Sequence, residues 1–234
     1  QYSKALYSSI KSEKKPIYVE ARSENEQSQF ICQKILELRE EGVPLNEIAV
    51  LFRSSTHAND LEIELQSRNI HFVKYGGFKF AETAHIKDVL AHLRVLQNLN
   101  DGISWQRILV LMEGVGPKAA ETLFKAASQS PSFDDVSWLA GFKAKKYVGD
   151  VQKLFEMLQN CELTAVEKTV GLILDYYELL LKRNYDAFTR RQADLESLKG
   201  IAARFDSIED FLADMAPGPL EFSQNENWFQ PEFK

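Results

Sequence analysis

The spacing of apolar residues changes near residue 80 of this 234-residue chain. Before that point, short apolar runs alternate with amphipathic stretches. After it, apolar residues recur every three or four positions almost to the end of the chain. The first pattern is typical of strands that alternate with helices, and the second is typical of consecutive helices. The sequence therefore predicts an α/β part followed by a larger all-helical part.

Three runs of strand length lie in the first part: residues 17–21 alternate as a strand does, residues 48–52 are continuously apolar, and residues 70–75 are predicted to be the third strand. A continuous apolar run is typical of a strand that is buried on both faces of a parallel sheet. Helices are predicted between the runs, and the first of them begins at Ser23, with Glu26 at the spacing of a capping box. Three strands are too few for a complete doubly wound domain, so we expect a partial parallel sheet.

The second part is predicted to be helical, with no strand after residue 82. Its predicted helices cover residues 83–97, 103–112, 117–128, 150–159, 163–182, 186–204 and 207–215. The chain passes from one part to the other at Gly76 and Gly77, which lack the Cβ that restricts the backbone of other residues. We expect this glycine pair to be a hinge at the exit from the sheet.

The net charge is −6, and residues 206–234 account for all of it with seven acidic residues and one basic residue. This distribution excludes a protein coated with positive charge but leaves room for a local basic face. The densest basic cluster contains Lys143, Lys145 and Lys146, and it predicts either a phosphate-binding surface or a solvated turn. No stretch is apolar enough to span a bilayer and no signal peptide is visible, so we expect a cytoplasmic protein without a membrane partner.

A second motif lies between two short amphipathic helices, where residues 113–118 read Glu-Gly-Val-Gly-Pro-Lys. Glycines let a backbone approach a phosphate closely, and Pro117 suits the first turn of a helix whose free amides attract anions. The motif predicts a helix-hairpin-helix-like element that grips duplex backbone without reading bases. The residues predicted to contact DNA are Gly114, Val115, Gly116 and Lys118. The alternative is a plain tight turn between helices.

Residues 48–96 resemble the UvrD/PcrA/Rep type of superfamily-one DNA helicase. Residues 50–54 read Val-Leu-Phe-Arg-Ser, where that family has a strand ending in Leu-Tyr/Phe-Arg-Ser/Thr. Residues 76–80 read Gly-Gly-Phe-Lys-Phe, which fits the family's Gly-Gly-x-x-Phe. Residues 85–88 read His-Ile-Lys-Asp, where the family has Glu-Ile-Lys-Asp, and Leu-Arg follows at 93–94. The family also has a Gly-Ile-Gly element at the place of the hairpin motif.

The resemblance implies a helicase fragment of three parts. Residues 1–81 would be part of the RecA-like motor domain 2A, residues 82–216 the all-helical 2B domain, and residues 217–234 a tail that returns toward 2A. It also implies that Arg53 and Ser55 contact single-stranded DNA, although relatives usually have Asn at the position of Ser55. Arginine suits phosphate because its planar fork donates two parallel hydrogen bonds. The alternative for Arg53 is a structural role at the edge of the predicted sheet.

The resemblance further implies a parent enzyme that unwinds DNA from 3′ to 5′ in repair or replication, with ATP and Mg²⁺ as its cofactors. Its 2B domain would hold the duplex at a junction with single-stranded DNA and regulate unwinding. This chain contains no Walker loop, so we expect it to be a monomer with no catalytic residue, no metal site and no ATPase activity of its own. The alternatives are a non-motor helix-hairpin-helix module and a protein-interaction domain whose acidic, aromatic tail docks on a partner.

The charged pairs Lys182-Arg183 and Arg190-Arg191 lie at or near predicted helix ends. Cations there favour a C-terminal helix dipole or increase solubility.

Overall fold

The computed structural model describes residues 15–75, 79–130 and 132–216. Within these ranges the regular structure consists of α-helices and four short 3-10 helices. The α-helices are α1 (Glu24–Glu40), α2 (Asn59–Ser67), α3 (Ala84–Gln97), α4 (Gly102–Leu109), α5 (Pro117–Ala127), α6 (Val148–Gln159), α7 (Val166–Asn184), α8 (Phe188–Ala202) and α9 (Ile208–Asp214). None of these helices is both long and apolar enough to cross a membrane.

The predicted partial RecA-like parallel sheet is wrong, because no strand is present in the described ranges. Residues 17–21, 48–52 and 70–75 lie in irregular segments, where Tyr18 is 87% exposed and Leu51 is 93% exposed. A continuous apolar run becomes a buried strand only where neighbouring strands hydrogen-bond to it and helices cover its faces. The described part of the chain supplies no neighbouring strand, so its architecture is all-α.

The first two helices enclose a small core. Helix α1 begins as predicted, because the Ser23 Oγ accepts a hydrogen bond from the Glu26 amide at 3.1 Å. It is followed by Gly42, whose φ of +91° is a conformation that favours glycine. The buried nonpolar residues of this small core are Cys32, Ile35, Leu61, Leu65 and Ile70.

The larger core is formed by helices α3 to α9, with α3 at its centre. Helix α3 packs against α4, α7, α8 and α9, and its residues Ile86, Val89 and Leu93 are fully buried. The rings of Trp105 in α4 and Phe155 in α6 stack with centroids 5.6 Å apart. The helical spacing of apolar residues in the sequence therefore predicted both the helices and the faces that they bury.

All seven helices predicted after residue 82 are confirmed, with bounds that differ by a few residues. The proposed hinge at Gly76 and Gly77 lies outside the described residues, as does the tail 217–234. The division of the chain after residue 81 stays a prediction.

One buried carboxylate connects three elements of the large core. The Asp88 Oδ1 accepts a hydrogen bond from the Arg107 Nε at 2.7 Å. The Asp88 Oδ2 accepts hydrogen bonds from the hydroxyl groups of Tyr177 and Tyr185, each at 2.6 Å. Hydrogen bonds to an ionised acceptor are stronger than those between neutral groups. This network fixes α3 against α4 and against the C-terminal end of α7, and thereby positions the loop that follows α4.

Candidate nucleic-acid interface

The loop between α4 and α5 contains a glycine in a left-handed conformation and leads directly into a helix N-terminus. Gly114 has a φ of +80°, a left-handed conformation that L side chains rarely adopt. Gly116 is the N-cap residue of α5, and Pro117 occupies the first turn. The Ala120 amide bonds to the Gly116 carbonyl at 2.9 Å, and the amides that precede it in α5 have no intrahelical partner. Such amides, together with the helix dipole, attract anions.

Three of the four predicted contact residues in this loop, Gly114, Gly116 and Lys118, are exposed. Val115 is only 6% exposed, and its side chain belongs to the large core. Its amide already donates to the Met112 carbonyl at 3.2 Å. The Val115 side chain therefore anchors the loop, and the exposed surface consists of the two glycines and the lysine.

The contact between α4 and α5 depends on a glycine that the sequence reasoning missed. A Cβ at Gly102 would lie 3.0 Å from the Phe124 Cε1, closer than real Cβ contacts normally come. The absence of a side chain at Gly102 thus lets the two helices pack closely on either side of the loop. The only sequence signal for this contact was a glycine at the start of a predicted helix.

The last turn of α7 holds the start of the same loop. The Arg183 Nη2 and the Asn184 Nδ2 both donate to the Leu111 carbonyl, at 3.0 and 2.9 Å. Leu111 lies just beyond α4, whose C-cap is Val110, so these two side chains supply donors to a carbonyl of the loop itself. Lys182 and Arg183 lie in the last turn of α7, as predicted for this pair. Sequence reasoning did not find the link to Leu111, because it joins residues more than seventy positions apart.

The electrostatics of the loop are mixed. The Glu113 side chain is 83% exposed and lies 3.9 Å from the Arg183 Nη1, which is also 3.6 Å from Asp150. An exposed carboxylate repels phosphate, and an ion pair at this distance in water offsets little of that repulsion. Attraction for an anion at this loop therefore depends on backbone amides and on Lys118.

The second candidate surface contains Arg53 and Ser55. Arg53 is exposed, and Ser55 begins a 3-10 turn that leads into α2. The hydroxyl oxygens of Ser54 and Thr56 lie 3.0 Å apart beside it. The predicted setting of Arg53 at the end of a parallel strand is wrong, because residues 48–52 form no strand in the described ranges. The surface is instead an exposed turn rich in hydroxyl groups.

Helix α8 adds an arginine to this surface. The Arg190 Nη2 donates to the Ser55 Oγ at 3.3 Å. Arg191 points elsewhere: its Nη1 lies 2.9 Å from the His85 Nδ1, and its guanidinium stacks 4.5 Å from the centroid of the Tyr185 ring. Both arginines lie near the N-terminal end of α8, so a favourable C-terminal dipole interaction is the wrong explanation for them.

A buried acid holds α8 in place beside this surface. The Asp194 Oδ1 accepts a hydrogen bond from the Asn59 Nδ2 at 3.1 Å, and its Oδ2 lies 3.2 Å from the His85 Nε2. Burial raises the pKa of the Asp194 carboxyl, but His85 and Asn59 outweigh it and bring the pKa below its usual value. The ionised Asp194 therefore ties α8 to α2 and α3.

The remaining candidate sites, for phosphate or for a metal ion, are not supported by a comparable set of contacts within the described ranges. Lys143, Lys145 and Lys146 are exposed in the turn before α6, and both interpretations of this cluster stay open. His92 is buried, with its Nδ1 2.8 Å from the Asp88 carbonyl. In the part of the chain that the structure covers, no three His, Cys, Asp or Glu side chains are grouped as metal ligands.

Comparison with known proteins places these surfaces in a family. The family model of the UvrD-like helicase C-terminal domain matches residues 1–207. The ATP-dependent DNA helicase PcrA of Staphylococcus epidermidis is 29% identical over 214 residues, which are 89% of this chain and 28% of that protein. PcrA of Staphylococcus aureus is 29% identical over 226 residues, which are 95% of this chain and 30% of the relative.

The chain thus spans less than a third of the length of the curated relatives that it matches. The family model covers most of the chain, including the turn at Arg53, the loop before α5 and the arginines of α8. We conclude that the chain belongs to the family of UvrD-like helicase C-terminal domains.

Proposed function

We propose that this chain is the DNA-contacting part of an ATP-dependent DNA helicase that unwinds from 3′ to 5′. The loop between α4 and α5 contacts the backbone of the duplex, and the turn at Arg53 and Ser55 contacts the single strand. The partner is therefore a junction between single-stranded and duplex DNA. Family membership and the ATP-dependent DNA helicase activity of the PcrA relatives support this proposal.

The observation that carries the proposal is the loop before α5. Gly114 and Gly116 expose backbone at the start of a helix, beside Lys118. A phosphate group accepts hydrogen bonds from such amides without regard to base sequence, as a helicase requires. The anchoring of the loop by α7 keeps these groups in place before DNA arrives, which reduces the ordering cost of binding.

In this proposal, ATP and Mg²⁺ are bound by the longer protein of which this chain is a part. The residues of this chain do not fit a nucleotide, because the sequence lacks a Gly-Lys-Ser/Thr phosphate loop. The chain by itself is expected to bind DNA and to leave ATP intact. Unwinding requires the motor residues of the longer protein.

Fluorescence anisotropy with a labelled hairpin duplex at low salt tests the proposal. We expect non-specific binding by the chain, with a Kd in the range of roughly 10⁻⁴–10⁻⁶ M. The Lys118→Ala variant should weaken binding equally for two unrelated duplex sequences and reduce the slope of log K against log salt by about 1. The matched control is Lys125→Ala, which removes a 69% exposed lysine from the other end of the same helix.

A second variant tests the backbone amides. A Cβ at Gly116 would meet no atom within 4 Å, so Gly116→Val should fold normally. Its side chain should nevertheless keep phosphate away from the amides of α5 and weaken duplex binding more than Lys118→Ala does. Equal affinity for the wild type and both variants would show that the loop is only a structural turn.

A further inference from the structure

The guanidinium of Arg190 has a neutral partner in an otherwise charged neighbourhood. Its Nη2 donates to the Ser55 hydroxyl at 3.3 Å, and it forms no ion pair with a carboxylate among the described residues. The nearest acid along α8 is Asp194, whose two oxygens face Asn59 and His85. Arg190 therefore keeps donors that the protein does not use.

Helix stability does not explain a cation at this position. Arg190 lies in the first turn of α8, where the helix dipole disfavours positive charge, and the first turn contains no acidic residue to offset it. The neighbouring Arg191 has an evident structural role, because it bonds to the Asp186 carbonyl at 3.0 Å and stacks on Tyr185. The charge of Arg190 contributes to the lowered pKa of Asp194, but its one side-chain hydrogen bond within the described residues is exposed to solvent.

The surrounding contacts hold Arg190 where a ligand could reach it. Asp194 lies one helical turn further along α8 and joins that helix to Asn59 at the start of α2. Ser55 lies in the 3-10 turn that leads into the same end of α2, two residues after the exposed Arg53. The buried contact at Asp194 thus fixes the distance between α8 and the turn, and Arg190 reaches the Ser55 hydroxyl of that turn.

We propose that Arg190 is a further phosphate-binding residue of the single-strand surface. In the absence of DNA, the Ser55 Oγ accepts the hydrogen bond that a phosphate oxygen of the strand accepts when DNA is bound. An anionic oxygen is a stronger acceptor than a hydroxyl, so the exchange favours the complex. This inference rests on the proposed function, since it assigns a residue of α8 to the strand that Arg53 and Ser55 contact.

Anisotropy titrations of the chain with a labelled oligothymidylate test this assignment. Arg190→Ala should weaken binding by about tenfold, as expected for the loss of one hydrogen bond to a charged group. It should also reduce the slope of log K against log salt by about 0.7, the value for one phosphate contact on a single strand. Arg190→Lys should restore the slope but only part of the affinity, because an ammonium group lacks the fork geometry.

The matched control is Lys168→Ala, which removes an equally charged, 61% exposed residue from α7. Thermal unfolding should be unchanged in both alanine variants, since each lost contact is exposed. If Arg53→Ala weakens binding to oligothymidylate and Arg190→Ala does not, the assignment of Arg190 is wrong and the proposed function stands. If the wild-type chain binds the hairpin duplex but no oligothymidylate, both Arg190 and the single-strand part of the proposed function are wrong.

Discussion

The two hydrophobic cores of this chain differ in how completely they are enclosed. Helices α3 to α9 bury side chains such as Leu154 and Tyr177 entirely. Among the described residues, the core between α1 and α2 contains five buried nonpolar residues, and the irregular segments near it leave Tyr18, Leu51 and Tyr75 largely exposed. Since burial of nonpolar area is the main favourable term in folding, most of the stability should reside in α3 to α9.

Helix α2 is the element that both cores share. Its Ile63 belongs to the large core, whereas Leu61 and Leu65 belong to the small one. Helix α1 packs chiefly on α2, so it depends on the small core alone. The comparison therefore predicts that local stability differs between the helices, with α1 the least stable and α3 the most stable. Three measurements test this prediction.

The largest effect is expected from Asp88→Ala in the large core. The change leaves the hydroxyls of Tyr177 and Tyr185 without their acceptor and removes the partner of Arg107. Loss of a buried charged partner, together with buried unsatisfied hydroxyls, should lower the free energy of unfolding by about 4 kcal/mol. Urea denaturation followed by tryptophan fluorescence, to which the buried Trp105 contributes, measures this. A loss below about 1 kcal/mol would mean that the network is not central to the large core.

A smaller effect is expected from pH, through His92. Burial lowers the pKa of this fully buried imidazole from 6.5 to about 4, so the folded state holds it neutral. The unfolded chain takes up the proton first as the pH falls. Stability is therefore fully present above pH 6.5 and is lost between pH 6.5 and pH 4, by about 3 kcal/mol in total.

The control for this pH effect is His92→Gln, which cannot titrate but can still donate to the Asp88 carbonyl that the His92 Nδ1 contacts. Urea denaturation at a series of pH values should give a flatter profile for the variant than for the wild type. Parallel profiles would show that other groups cause the acid sensitivity and that the site of His92 admits water.

The smallest effect is expected from Ile35→Ala in the small core, about 2 kcal/mol, the lower end of the range for such truncations. Ile35 is 6% exposed in α1, and the few neighbours of this core can close over the gap. Hydrogen exchange should become faster in α1 and α2 while α3 to α9 are unaffected. Leu154→Ala in the large core is the matched control and should accelerate exchange throughout α3 to α9. If Ile35→Ala has that same wide effect, the two cores unfold as one unit.

The sequence predicted helices well and strands badly, and the reason is physical. A helix forms its backbone hydrogen bonds within itself. The apolar spacing in α3 and the cap at Ser23 were therefore sufficient to predict α3 and the start of α1. A strand requires partners elsewhere, and the apolar run at residues 48–52 does not say whether they exist. The described residues contain none, so that run and the other two remain irregular.

The candidate surfaces were predicted in part for the same reason. The glycines before α5 and Pro117 at its first position indicate their backbone conformation from residue type alone. The structure gives Gly114 the positive φ that a glycine permits. Contacts between distant residues were missed. Arg190 reaches Ser55 across 135 positions, and a pair of adjacent arginines in the sequence does not identify the partner of either one. The burial of the Val115 side chain was not predicted, because it depends on the packing of other helices.

The attachment of the hairpin loop to α7 has a mechanical consequence. Two hydrogen bonds fasten the Leu111 carbonyl to the last turn of a 19-residue helix, which is about 28 Å long. A helix of this length resists bending, so α7 is a rigid element with the loop attached at one end. In the proposed function, a pull on DNA bound at the loop would pass through these two hydrogen bonds into α7 and along it toward Val166. Because α7 packs on α3, α6 and α8, those helices would share the load with the turn.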